Sequence, residues 1–210
     1  MNGSAKKRWM CVVDIEATCW ADRKLPGPAG QGWVEPQNEI IELGAAMVRL
    51  PDLSAGSEFD MFVRPIVNPV LTDFCKTLTS IRQQDVDEAQ KFPVVLERFA
   101  SWISTFGPKE DVLFSSWGMY DKTQILRDCE LHAAPFPFDD EHLNLKNHAA
   151  ARMSRAPKGV AKVLARLGMD FEGTPHRGID DVRNIIRIVR KVGLDLEGLS
   201  ANPAQKSKST

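Results

Sequence analysis

Residues 9–15 read WMCVVDI, a short apolar run rich in β-branched side chains that ends in acids, Asp14 and then Glu16. That pattern predicts a buried strand. Alternate side chains of a strand share a face, so Asp14 and Glu16 project together. Two like charges at the end of an apolar strand repel each other and lose hydration, which is costly unless a cation lies between them or one is protonated. The plainer alternative is a polar strand end with both acids in solvent, and a DxE alone does not choose between the two.

The order of elements beyond this first strand defines the fold class. Residues 21–38 carry Pro26, Gly27, Pro28, Gly30, Gly32 and Pro36, so a loop is expected there, long enough to suggest a functional segment. Ile40–Leu50 reads as a second strand ended by Pro51. A Gly/Ser turn at 54–57 leads to a third, Glu58–Arg64, stopped by Pro65. These three are expected to form a meander of adjacent strands. Helical periodicity then takes over at Thr72–Thr77, Arg82–Ala89 and Pro93–Thr105, the last placing Val94, Val95, Leu96, Phe99, Trp102 and Ile103 at helical intervals behind a first-turn proline. Val112–Trp117 is another apolar strand, broken by Gly118 and succeeded by a helix over Lys122–Leu131. A short strand or turn near Leu143, helices at about 145–153 and 159–167, and a last helix from about Arg177 to Val192 complete the pattern. Strands succeeded by helices predict an α/β fold, a mixed sheet with helices packed on it.

At 210 residues and 43% apolar content the chain suits one domain with a real core. We expect a short extension at 1–8, the domain at 9–192 and a polar tail at 193–210. No run of about 18 apolar residues exists, so no membrane span is expected, and the basic N-terminal stretch lacks the apolar segment of a secretory signal. Cys11, Cys19, Cys75 and Cys129 form no CxxC pair, which points to free thiols in a reducing cytoplasm. The net charge of −1 hides an asymmetry: eleven Lys/Arg stand against four Asp/Glu between Asn144 and Lys191. That stretch is either a set of solvated helix faces or a phosphate-facing side beside an acidic site.

Three more places bear on chemistry. Asp121 opens the helix expected over Lys122–Leu131, where an aspartate is a favoured N-cap and needs no other reason. In the last helix Ile179, Val182, Ile186 and Val189 form one apolar stripe; Asp181 falls at its border, able to reach a site at the edge of the core, and Asp180 is expected to face solvent. His176 precedes that helix. Four acids of the kind hard cations prefer, with a base that titrates near neutrality, suit phosphodiester hydrolysis, which needs a hydroxide nucleophile and charge neutralisation on the leaving oxygen. A histidine can take the proton from the attacking water.

Taken in order, VVDIEATCW, FSSWGMYD and HRGIDD resemble the three motifs of the DEDDh 3′→5′ exonucleases, with LTSIRQQDVDEAQKFPVVL at 78–96 similar to the Eri-type branch. The resemblance spans roughly residues 9–192. It implies a ribonuclease H-like fold in which Asp14, Glu16, Asp121 and Asp181 hold two Mg²⁺ or Mn²⁺ ions and His176 is the general base. It further implies a single-stranded 3′ end as partner, RNA ahead of DNA, met by the backbone at Ala17 and Thr18 beyond Glu16. Cys19, Trp20 and Leu78 would be apolar neighbours of the terminal base, with Trp20 either stacking on it or anchoring its loop. The competing readings are a DNA exonuclease and a non-catalytic adaptor of the same fold. No basic helical module precedes the motifs, so a weak grip on structured RNA is expected.

Overall fold

The computed structural model describes residues 7–22, 25–26, 33–34, 36–153 and 159–195. The first strand, β1, runs Trp9–Ala17, two residues longer than its apolar run. Within the expected 21–38 loop, Leu25–Pro26 (β2) and Trp33–Val34 (β3) pair antiparallel, a small ladder the proline and glycine content concealed; the rest of 23–35 lies outside the described residues. Then come β4 (Ile40–Arg49), β5 (Ala55–Arg64), α1 (Asp73–Thr79), α2 (Gln83–Asp87), the two-residue β6 (Gln90–Lys91) and α3 (Phe92–Ser104). The chain continues with β7 (Val112–Ser116), α4 (Tyr120–Leu131), β8 (His142–Asn144), α5 (Leu145–Arg152), α6 (Val160–Arg166) and α7 (Gly178–Val192).

The main sheet has the order β6-β5-β4-β1-β7-β8. β1, β4 and β5 form the expected antiparallel meander, while β7 joins β1, and β8 joins β7, in parallel. The sheet is therefore mixed, with helices on both faces. On one side Cys11, Val13 and Ile15 of β1 pack with Val95, Leu96, Phe99 and Ile103 of α3 and Ile125 of α4. Val94, counted into the α3 stripe from sequence, is exposed. On the other side Met10 and Val12 pack with Ile185, Ile188 and Val189 of α7 and with residues of α5 and α6. Each fully buried side chain of this size contributes roughly 1.5–3 kcal/mol. No helix among the described residues is long and apolar enough to cross a membrane.

The α7 face of β1 reads Met10, Val12, Asp14, Glu16, so the strand turns from core to acid without changing face. The register sets Gly44 of β4 opposite Asp14, and Glu42 opposite Glu16. Gly44 is where α7 crosses: a Cβ there would lie 2.3 Å from the Gly178 carbonyl carbon. Only a glycine lets the first turn of α7 rest directly on the sheet, beside the two acids.

Candidate active site

That crossing brings Asp181 over β1. One carboxylate oxygen each from Asp14, Glu16 and Asp181 lie within 4.8 Å of one another. Asp121 stands next to this trio rather than within it. It is not the N-cap of α4: the helix begins at Tyr120 with Met119 as cap, and Asp121 sits buried in the first turn. Its Oδ1 accepts the N–H of Ile15 at 3.2 Å, so the helix start is pinned to the strand that carries Asp14 and Glu16. His176 adopts φ 62°, a left-handed conformation uncommon for a residue with a side chain. Its N–H donates to Asp181 Oδ2 at 2.8 Å, and its Nδ1 lies 3.9 Å from Glu16 Oε1 with the ring 55% exposed.

The electrostatics stem from crowding. Burial, then the charges of Asp121, Asp181, Glu16 and Glu42, hold Asp14 well above the usual carboxylate range. Burial, then Asp181, Glu42 and Asp121, push Glu16 up to about 8. Asp121 rises to about 6 because burial outweighs its hydrogen bonds from Ile15, its own backbone and Ser116. Asp181 is raised as well, burial again exceeding the relief from His176. Four acids in one place cannot all ionise cheaply without positive charge among them. A donor set of oxygens alone, spaced within a few ångströms, fits a hard divalent cation.

The other expected residues are divided between the site and its surroundings. Asp180 does not face solvent: it accepts from the Thr174 N–H at 2.9 Å and from Arg183 at 3.0 Å, bracing the turn before α7 and staying out of the trio. A helical wheel misses this because the 170–176 segment folds back over that side of the helix. The Thr18 side chain is turned inward, 2% exposed, so only its main chain could face a substrate. Its hydroxyl accepts the Glu39 N–H at 2.9 Å, its N–H donates to the Glu39 carbonyl, and its carbonyl accepts from Asn38. Ala17 lies at the irregular end of the β1–β4 pairing, and its carbonyl faces the Cys75 thiol at 3.7 Å. Cys19 and Trp20 are half-buried, and Leu78 is 37% exposed on α1. The Thr72 hydroxyl caps α1 and donates to the Cys19 carbonyl at 2.7 Å, so that helix is tied to the end of β1. Three arginines of the basic C-terminal stretch point elsewhere. Arg183, Arg187 and Arg190 line a separate groove of about 540 Å³ against β4 and β5, held by Glu58, Glu172 and the Leu53 carbonyl.

Two features escaped the sequence. Glu42 is fully buried and grips Arg177, with Oε1 2.8 Å from Nη2. An acid inside the apolar run IIELGAA was its visible signal. Tyr120, which begins α4 next to Asp121, is 53% exposed and offers an open aromatic there.

A strand-borne acid pair, an acid at a later helix and a histidine–aspartate turn over the sheet form one carboxylate cluster on a ribonuclease H-like fold. The sequence matches the RNase_T exonuclease family over residues 11–189, and the chain belongs to that family. Within it the chain falls in the Eri branch of the DEDDh 3′→5′ exonucleases, whose members use divalent metal ions. It is 33% identical over 187 residues to 3′-5′ exoribonuclease 1 of Homo sapiens, covering 86% of this chain and 51% of that protein. It is 32% identical over 215 residues to 3′-5′ exonuclease eri1 of Schizosaccharomyces pombe, covering 88% of this chain and 68% of that one. The chain thus spans about half the length of several curated relatives it matches. Among solved structures, the nuclease domain of 3′hExo, a DEDDh family member bound to rAMP, superposes with a TM-score of 0.75 at 30% identity over 90% of this chain and 93% of that one.

Proposed function

We propose that this chain is a 3′→5′ exoribonuclease that shortens single-stranded RNA one nucleotide at a time, releasing nucleoside 5′-monophosphates. The observation that carries the reading is the trio of carboxylates within 4.8 Å, faced by the His176 ring. RNA is preferred because the relatives bear exoribonuclease names and the similar nuclease domain was solved with rAMP.

In this reading Asp14, Glu16, Asp121 and Asp181 hold two Mg²⁺ or Mn²⁺ ions. When bound, the ions lower the pKa of the attacking water and neutralise charge on the leaving oxygen. The chain's own groups do the rest. The exposed imidazole of His176 takes the proton from the attacking water, held in place by its backbone bond to Asp181. The Ala17 main chain meets the terminal nucleotide. Trp20, Leu78 and the open ring of Tyr120 give its base apolar surface, a sequence-tolerant mode of grip.

The test is a gel time course with matched 5′-labelled RNA and DNA oligonucleotides in Mg²⁺, Mn²⁺ or EDTA, beside Asp181→Ala. A ladder shortening from the 3′ end on RNA, lost in EDTA and in the variant, is expected. A faster DNA ladder would reassign the substrate, and no ladder under either metal would defeat the nuclease reading.

A further inference from the structure

Helix α7 carries Asp181 and begins just after His176, yet it has no cap of its own. Arg177 occupies the N-cap position without a side-chain cap bond. Instead the Gly178 N–H, one of the donors that a helix start leaves unpaired, is accepted by Glu42 Oε2 at 2.9 Å, from a strand 136 residues earlier in the chain. The other oxygen of Glu42 takes Arg177 Nε at 3.0 Å and Nη2 at 2.8 Å, a forked pair whose planar geometry fixes orientation as well as distance. The Arg177 guanidinium also lies 5.0 Å over the Phe62 ring. Below, Gly178 rests on Gly44, which has no room for a side chain, and a Cβ on Gly178 itself would press on the Asp14 carbonyl and the Gly44 backbone. The turn His176–Arg177–Gly178 is thus clamped from four directions, and Glu42 supplies two of them. Although Glu42 is paired in register with Glu16, it is not one of the clustered ligand oxygens, and its own are occupied.

We infer that Glu42 and Arg177 are positioning residues for the site: Glu42 caps α7 from β4 and, through Arg177 and Gly178, fixes where Asp181 and His176 stand above Asp14 and Glu16. The inference rests on the nuclease reading for its activity readout and on geometry alone for its cation readout. Partners that orient ligand residues in this way typically govern metal affinity or rate by 10- to 100-fold.

The test uses Glu42→Gln, Arg177→Lys and the double variant Glu42→Gln/Arg177→Met, each checked for folding by circular dichroism. Two quantities are read: kcat and KM on a 5′-labelled oligoribonucleotide, and the half-saturating Mn²⁺ concentration for thermal stabilisation, which needs no turnover. Each single variant is expected to lose about 10- to 100-fold in kcat with KM within about threefold, and to need about tenfold more Mn²⁺. The double variant should be no worse than the worse single, since the two residues act as one clamp. A purely structural role would lower the folded fraction and leave kcat per folded molecule and the Mn²⁺ requirement unchanged. Should Glu42→Gln fail to fold, Arg177→Lys, at a partly exposed position, carries the same two readings. An inactive wild type would defeat the nuclease reading, while the Mn²⁺ titration would still decide about Glu42. Folded variants with both quantities within about threefold of wild type would overturn the inference.

Discussion

Strands β1 and β4 lie side by side and each brings acids to the same end of the sheet, but the two pairs are treated in opposite ways. Glu39, just before β4, is 2% exposed and accepts the N–H groups of Ile66, Val67 and Asn68 at 2.7, 2.8 and 2.7 Å. Glu42 takes Arg177 and Gly178, and it also shares a hydrogen bond with the Asp60 carboxyl. Across the pairing, the carboxylates of Asp14 and Glu16 take no hydrogen bond from the described residues, and their neighbours are other acids and, at Glu16, the His176 ring 3.9 Å away. A buried carboxylate whose oxygens are taken by cationic and backbone donors is part of the scaffold, even with acids nearby, whereas one left without such donors among carboxylates is a place for a cation. The same strand also ties the site in place, since the Glu39 backbone N–H donates to the Thr18 hydroxyl at the end of β1 and the Glu42 carboxylate accepts from the start of α7.

The contrast breaks most sharply in turnover. Asp14→Asn keeps the shape of the side chain and removes its charge. If Asp14 is a cation ligand, kcat should fall on the order of a thousandfold, the several kcal/mol that a bound ion contributes to the transition state. Circular dichroism should be unchanged. Near-normal turnover in this variant would remove Asp14 from the site.

The scaffold side should respond in stability instead. Glu39→Ala leaves three backbone donors without their acceptor, at roughly 1 kcal/mol each or about 3 kcal/mol in all. Urea unfolding should show that loss, while kcat per folded molecule stays within about threefold. Comparable rate losses for Glu39→Ala and Asp14→Asn would erase the distinction between the two strands.

How far the sequence reveals this contrast depends on the range of the interactions. The DxE pair and Asp181 are readable because strand and helix periodicity are local, and the meander comes from three apolar runs with turn residues between them. Asp121 is legible as a candidate but not in its helix role: an N-cap preference is a local rule, and the bond from Ile15 is a tertiary one. Asp180 misleads in the same way, since a helical wheel knows nothing of the Thr174 turn. Glu39, Glu42 and Arg177 leave only the faint sign of charge in or beside an apolar strand. Their partners stand tens to more than a hundred residues away, and no spacing rule reaches that far.

A smaller effect concerns pH. Glu16 stands at about 8 in the folded chain against an ordinary 4.5, so the metal-free fold binds a proton that the unfolded chain has released. Stability from this group is therefore fully present below about pH 4.5 and is lost as pH rises toward 8. His142, lowered by burial to about 4, runs the other way below pH 6.5 and must be cancelled. The comparison is wild type against Glu16→Gln in EDTA: between pH 5 and 7 wild type should lose about 2 kcal/mol relative to the variant. Saturating Mn²⁺ should abolish the difference in slope, because the ion replaces the proton. Parallel curves in EDTA would mean that Glu16 is as well solvated as a surface acid.

The smallest effect is the one whose sign matters most. In EDTA, Asp14→Asn removes a carboxyl that burial and four neighbouring acids already penalise. The metal-free variant should therefore be slightly more stable than metal-free wild type, by about 1 kcal/mol or roughly 2–4 °C in Tm. With Mn²⁺ the order should reverse, since only wild type gains the full stabilisation that binding to the native state confers. The same substitution would thus raise Tm without the ion and lower it with the ion. Glu39→Ala should lower it in both. A substitution at Asp14 that destabilised the metal-free chain would place Asp14 with Glu39 among the structural acids, and the contrast between the two strands would have to be given up.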